Sequence, residues 1–417
     1  MIVFVDYKYK GIGGVGQLVT NIVLELNRNG YSAKVYASYD SYEYKRLVSE
    51  EADCVLINSD LVSTKKLSLY IDEKDVIFLT HLANNELLRD IRHLNNRIIF
   101  YVVHPDTFFS YHYFHKLFRY NKRSLELIKV LSKKNALCLM DQPNLDAIER
   151  RGLILERPID FLPVPICANT NNKRDNGKII SRHNITYIGR GNDDWKIYPV
   201  IKVLQDLNKL EESVTFTICT DTDTRFKAFL SKYIPQNKIH INYKINLFGK
   251  DLDQYLINNS WLHISMGTSA LEGAKLGIPT ILIDYSKTLF PENYVYKWIY
   301  ETEGFSLAEE IFPDTIVKGK PFNVILTELK NEKSYNRISE KCLDYITQNH
   351  SLDKFVDRII KISNKTEMTT NDYCRSSIFG FYGHIYPIYK LYRSILFCVK
   401  HPIKSFKKIL YVLRIIK

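Results

Sequence analysis

The chain has 417 residues, 45% of them hydrophobic and 25% charged, an ordinary globular balance with length enough for two or three domains. Its seven cysteines are scattered, odd in number and contain no C-x-x-C pair, which argues against a disulfide framework or a cysteine zinc site and for reduced thiols in a cytosolic protein. The net charge of +12 is unevenly placed: residues 366–417 hold nine Lys or Arg against two acids, so the body is nearly balanced and the tail is the basic part.

The opening "MIVFVDYKYK" has no basic segment before its apolar run and no small-residue cleavage site, so it reads as a first strand and not as a signal peptide. A glycine loop comes next, with Gly11, Gly13, Gly14 and Gly16. The helix "QLVTNIVLELNRNG" succeeds it, placing Leu18, Ile22 and Leu26 on one face and Gly30 at a C-cap position. "SAKVYAS" is then a second strand, completing a β-loop-α-β unit.

Gly11, Gly13 and Gly16 satisfy G-x-G-x-x-G, but a dinucleotide fingerprint needs the first glycine directly after the strand and an acid at the end of the second strand. Here "YKYK" intervenes and Asp40 lies two residues too far on. Two readings remain: a tight turn, or close approach of a ligand to the N–H groups at a helix start.

Strand-length apolar runs recur at 54–58, 75–81, 97–105 and 136–140, as expected for strands buried on both faces of a parallel sheet. Residues 1–165 therefore form one Rossmann-like doubly wound α/β domain, and the proline-containing, polar segment 166–180 is a linker. A second series at 184–189, 214–220, 238–245, 261–265 and 279–284 makes residues 181–350 a second such domain. Ligand crevices lie at the carboxyl ends of parallel strands, which places the two crevices across a cleft from each other. An amphipathic helix over 351–365 closes the globular part, and residues 366–417 form the tail.

The most informative stretch is "HISMGTSALEGAKLGIPTILID", residues 263–284. A strand runs into Gly267, Thr268 and Ser269, whose amides and hydroxyls suit a phosphate. Glu272 stands one helical turn in, where a carboxylate can chelate two vicinal ribose hydroxyls. The plainer alternative for Glu272 is an acid favoured by the helix dipole. Asp221 and Asp223 form a D-x-D, read mainly as a solvated loop, with divalent-metal binding as the minority reading. His81 and His104 end strands of the first domain, and either can take a proton from an acceptor hydroxyl or be a hydrogen-bonded structural histidine; Asp106 is the reserve base. The segment "DTFFSYHYFHKLFRYNKR" is either a core helix or an aromatic and basic face suited to lipid headgroups.

Taken in order, the glycine loop, "YIGRGNDDWK" and "GTSALEGAKLGIPTILID" resemble the nucleotide-sugar-dependent glycosyltransferases of the GT-B fold, family 4-like and of the bacterial surface-polysaccharide type. The likeness spans residues 1–365, with only those three segments specific. It implies a donor nucleotide held by the second domain, an acceptor held by the first, Glu272 on the donor ribose, and Arg190 and Lys196 on the donor diphosphate. Two cations there can stabilise the leaving group with neither metal nor cofactor. Many retaining members carry a second glutamate eight residues before the ribose-binding one; that position is Ile264, which leaves the stereochemical outcome open.

The stretch "VKHPIKSFKKILYVLRIIK" sets Lys404, Lys407 and Lys408 against Ile403, Phe406, Ile409, Leu410 and Leu413, the pattern of a helix lying in an anionic membrane interface. A partner-docking helix is the alternative, and no nucleic-acid motif accompanies the basic residues. The resulting expectation is a cytoplasmic enzyme, peripheral at the inner face of the membrane, that transfers sugar to a lipid-linked saccharide. A nucleotide-sugar 2-epimerase and a non-catalytic membrane-docked scaffold are the competing readings.

Overall fold

The computed structural model describes residues 1–6, 14–80, 85–105, 107–109, 120–155, 159, 161–167, 184–191, 194–233, 239–312, 315 and 317–376. They fall into two units. The first comprises Met1–Leu139, Asn144–Asp160 and the chain from Ile359 on; the second comprises Met140–Pro143 and Phe161–Arg358.

The first unit holds six parallel strands, β1 (Ile2–Asp6), β2 (Ala33–Ala37), β3 (Cys54–Asn58), β4 (Val76–Leu79), β5 (Arg97–Val102) and β6 (Leu137–Leu139), in the order β3-β2-β1-β4-β5-β6. The central strands are apolar because both faces are covered: Val3, Phe4, Ile77, Phe78, Ile98, Ile99 and Phe100 are all buried. The helix Gly14–Arg28 covers one face with Leu18, Val19, Ile22, Val23 and Leu26. It ends as the sequence indicates, with Gly30 at a positive φ and the Tyr31 amide donating back to the Leu26 carbonyl at 2.8 Å.

The second unit repeats the plan with β7 (Asn184–Ile188), β8 (Val214–Thr220), β9 (Ile239–Ile245), β10 (Leu262–Ser265), β11 (Thr280–Leu282) and β12 (Lys297–Trp298), in the order β12-β11-β10-β7-β8-β9. All pair in parallel except β12, a two-residue antiparallel edge too short to leave a pattern in the sequence. The chain moves outward from β7 to β8 and β9, then returns to β10 on the other side of β7 and continues to β11. Because β-α-β crossovers are right-handed, this reversal puts the connecting helices on opposite faces of the sheet.

The end of the chain departs from the sequence reading. The helix Leu352–Lys365 buries Leu352, Phe355, Val356 and Ile359 as its periodicity requires, and it carries the chain from the second unit back to the first. Residues 366–376, assigned to the basic tail on sequence, are instead part of the first unit. The Ile98 amide donates to the Met368 carbonyl at 2.8 Å, the Thr370 amide to the Asn96 carbonyl at 2.8 Å, and Lys134 pairs with Asp372 at 2.7 Å. Both acids counted in the tail, Glu367 and Asp372, lie in this folded stretch, so residues 377–417 carry eight basic residues and no acid. Those residues, the glycine loop at 7–13 and most of the linker and of the aromatic segment lie outside the described residues.

At the amino end of the first sheet, Lys34 on β2 is buried and donates to Asp72 at 2.6 Å, to Asp75 at 2.7 Å and to the Tyr70 carbonyl at 2.8 Å. Burial alone would lower the pKa of this ammonium, but the two carboxylates outweigh it and hold it above its ordinary value. Removing the buried carboxylate leaves the ammonium under-compensated, so Asp75→Ala is expected to cost about 3 kcal/mol. Urea unfolding measures it, and a change below the noise of the titration would show that Asp72 alone satisfies Lys34.

Candidate functional site

The reversal of strand order in the second unit lies between β7 and β10, and loops leaving the carboxyl ends of these neighbours diverge to opposite faces, opening a crevice. The Ser265 hydroxyl at the end of β10 donates to the Ile188 carbonyl at the end of β7 at 2.7 Å, fixing the floor of this crevice. The loop after β7 holds Arg190; the loop after β10 is Met266 and Gly267, leading into the helix Thr268–Ala274 with Glu272. Arg190 thus lies on the loop after β7, Gly267 on the loop after β10, Thr268, Ser269 and Glu272 in the helix that this second loop opens, and Lys196 in the first turn of the helix Asp194–Asn208.

Each loop is held by contacts that the sequence does not advertise. The Gly189 amide donates to the Cys219 carbonyl at 3.1 Å and the Gly191 amide to the Asp221 carboxylate at 2.7 Å, leaving the intervening Arg190 exposed. A Cβ on Gly191 would collide with the Thr222 carbonyl. The Asp221 carboxyl, which burial would push up, is held below its ordinary value by the Gly191 amide and the Thr220 hydroxyl. Asp223 pairs with Lys227 at 2.6 Å, so in this structure the two acids of the D-x-D anchor a loop and a helix. Among the described residues, no group of three His, Cys, Asp or Glu side chains is placed to hold a metal ion.

Gly267 has φ 59° and ψ −147°, a conformation closed to residues with a Cβ, and it turns the chain from strand to helix within two residues. His263 on β10 steadies that helix from below. Its Nε2 lies 3.0 Å from the Ser269 carbonyl and its Nδ1 lies 3.1 Å from the Thr186 hydroxyl. A carbonyl only accepts, so Nε2 carries the proton, and in the neutral ring Nδ1 accepts from the Thr186 hydroxyl. Burial, offset only in part by these bonds, pushes its pKa down to about 4.

Glu272 is not isolated. Lys275 pairs with it at 2.6 Å and with Asp253 of the helix Gly249–Asn259 at 2.9 Å. Burial lowers the Lys275 ammonium, but the two carboxylates more than reverse this, so the cation is held charged and points the Glu272 carboxylate. At the start of the helix Asp194–Asn208 the Trp195 ring meets the ring of Tyr285, which follows β11, edge-on with centroids 5.5 Å apart, and the Lys196 ammonium lies 5.0 Å from the Trp195 centroid. His263, Asp253, Lys275, Trp195 and Tyr285 were missed in the sequence, although His263 opens the very motif that carries Glu272. Ile264, the position of the absent second glutamate, is fully buried within β10 between Tyr187 and Ile281, so the count of eight residues lands inside the sheet.

In the first unit His104 is exposed in the loop after β5, and its carbonyl accepts from the Thr107 amide at 2.9 Å. His81, Asp106, Gly11 and Gly13 lie outside the described residues. Gly14 and Gly16 fall in the first turn of the helix Gly14–Arg28, and a Cβ on Gly16 would press on the carboxylate of the fully buried Glu43.

Neither a protein-family model nor a curated protein sequence matches the chain. Solved structures do. The Anabaena protein Alr3699/HepE in complex with UDP and glucose is similar over 86% of this chain and 98% of its own, with a TM-score of 0.56 and 14% identity. A glycosyltransferase from Rickettsia africae is similar over 87% and 97%, with a TM-score of 0.57 and 14% identity. The lipopolysaccharide outer core galactosyltransferase WaaB is similar over 87% and 98%, with a TM-score of 0.52 and 11% identity. At these identities the likeness establishes the fold: two Rossmann-like units in one chain, the GT-B fold.

His263 and the equally buried His350, whose pKa is also pushed down to about 4, make a prediction about pH. Both are neutral when folded and bind a proton near 6.5 when unfolded. Stability is therefore complete above pH 6.5 and declines as pH falls toward 4, by on the order of 3 kcal/mol for each fully shifted group. Denaturant melts across that range should show the decline, and His263→Gln should make it shallower. An unchanged slope would mean that His263 titrates normally in the fold.

Proposed function

We propose that this protein is a glycosyltransferase that moves a sugar from a nucleotide-sugar donor to a saccharide acceptor. One observation carries the reading: Arg190, Lys196, the 267–269 turn and Glu272 stand on the segments that leave β7 and β10 at the strand-order reversal of the second sheet, where α/β sheets bind ligands. The donor ribose is chelated by Glu272, held in place by Lys275, and the diphosphate lies against Arg190, Lys196 and the Thr268 and Ser269 amides, the Gly267 amide being bonded to the Leu307 carbonyl at 3.0 Å.

In the transfer an acceptor hydroxyl oxygen bonds to the anomeric carbon as the bond from that carbon to the diphosphate oxygen breaks. The diphosphate departs with the bonding pair, stabilised by the two cations, without a divalent metal. The hydroxyl proton passes to a base of the first unit, with His104 the leading candidate and His81 and Asp106 behind it. A hexosyl group is the expected cargo, as UDP and glucose accompany the Anabaena neighbour.

The acceptor is proposed to be lipid-linked, in the assembly of a cell-surface polysaccharide such as capsule or lipopolysaccharide, with the protein peripheral at the cytoplasmic face of the membrane. Among the described residues no helix is long and apolar enough to cross a bilayer. The support is the charge of residues 377–417, basic and apolar with no acid, which suits an anionic headgroup layer.

Calorimetry on the purified chain with UDP and GDP, with and without magnesium, tests the site. One nucleotide should bind without magnesium, and Glu272→Ala should weaken it at least about tenfold, roughly 1.4 kcal/mol. Absence of nucleotide binding would sink the transferase reading, and dependence on magnesium would return Asp221 and Asp223 to the site. Reversing Lys404, Lys407 and Lys408 to Glu should release the protein from vesicles containing phosphatidylserine while leaving nucleotide affinity intact; retention on the vesicles would refute the membrane role of this segment.

A further inference from the structure

The crevice at the strand-order reversal has two ends of different chemistry. At one end Glu272 is linked through Lys275 to Asp253, and so belongs with the helices Thr268–Ala274 and Gly249–Asn259. At the other end Trp195 begins the helix Asp194–Asn208. That helix is tied to the segment after β11: Lys202 donates to the Glu292 carbonyl at 2.7 Å, and the Tyr296 hydroxyl donates to Asp206 at 2.9 Å. The reversal puts these two sets of helices on opposite faces of the sheet. A ligand crossing the carboxyl edge from Glu272 to Trp195 passes Arg190 and the 267–269 loop at its middle.

On the nucleotide-sugar reading, on which this inference rests, the ribose occupies the Glu272 end and the diphosphate the cationic middle. The remaining part of the donor is the sugar to be transferred, and it meets Trp195 and Tyr285. Both rings are half-buried and packed edge-on against each other, and Tyr285 is held by its backbone, its amide donating to Glu309 at 3.0 Å and its carbonyl accepting from Ile311 at 2.8 Å. A rigid aromatic corner with an ammonium at its rim suits a pyranose, which offers a face of C–H groups to a ring and hydroxyls to its edge. We propose that Trp195 and Tyr285 form the wall that binds the transferred hexose and selects donors with an unobstructed apolar sugar face.

The test compares affinities for UDP, GDP, UDP-glucose and GDP-mannose in the wild type, Trp195→Ala, Trp195→Phe and Tyr285→Ala, with Glu272→Ala as reference. A hexose conjugate should bind more tightly than its parent diphosphate. Both alanine variants should remove that advantage, about tenfold, while the parent diphosphate binds as before. Trp195→Phe should keep the advantage, because a flat ring is restored beside Lys196. Trp261 and Trp298 are buried, so a change in wild-type emission on binding the conjugate should come from Trp195, and Trp195→Phe should silence it.

If the alanine variants weaken the parent diphosphate as much as the conjugate, the aromatic pair serves the nucleoside or the fold and the proposal is overturned. If the conjugate keeps its advantage in both, the sugar lies elsewhere and the proposal is likewise overturned. In these two cases nucleotide binding itself, weakened in Glu272→Ala, still stands. If the wild type binds none of the four compounds, the nucleotide reading fails and this inference fails with it.

Discussion

The hydrogen bond from Ser265 to the Ile188 carbonyl joins two strands, β7 and β10, that are far apart in the chain and lie side by side where the sheet reverses direction. The whole crevice of the second unit depends on that adjacency. A β-α-β unit propagating in one direction stacks its helices on one face and leaves no opening. Only where the order turns do neighbouring loops part, so that residues from two strand ends border one space. The first sheet reverses between β1 and β4 in the same manner.

The crevice is built from groups whose charge states are settled before any ligand arrives. Lys275 remains an ammonium because two carboxylates outweigh its burial, and His263 remains neutral because burial outweighs its two hydrogen bonds. The cation orients Glu272, and the neutral imidazole holds the Ser269 carbonyl. Preorganisation of this kind is what an electrostatic site requires, since side chains that must reorient on binding give back part of the interaction.

The return of the chain to the first unit divides charge as well as structure. Residues 366–376 carry the only two acids of the segment that reads as a basic tail, and both sit in a stretch whose Thr370 amide bonds to Asn96 and whose Asp372 pairs with Lys134. Residues 377–417 are therefore more strongly basic than the sequence boundary suggested. Apolar periodicity could not mark this division, because the folded stretch is short and joins the first unit through backbone hydrogen bonds and single buried side chains such as Met368 and Tyr373.

Every described strand except β12, the position of the crossing helix and the short helix that carries Glu272 are legible in the sequence, because strands buried on both faces must be apolar and glycines must stand where the chain turns sharply or another backbone crosses. The family resemblance added Arg190 and Lys196. The two-residue edge β12 left no periodicity, and the end of the closing helix was taken as the end of the fold. The alignment of Asp221 with Gly191, of Lys275 with Asp253 and of Trp195 with Tyr285 joins residues 30, 22 and 90 positions apart, by numbering. Local pattern determines which segments become strands and helices, since that depends on burial at a fixed period. Which side chains meet at the carboxyl edge was decided only by the order in which the strands assemble, and that order is a property of the packed sheet.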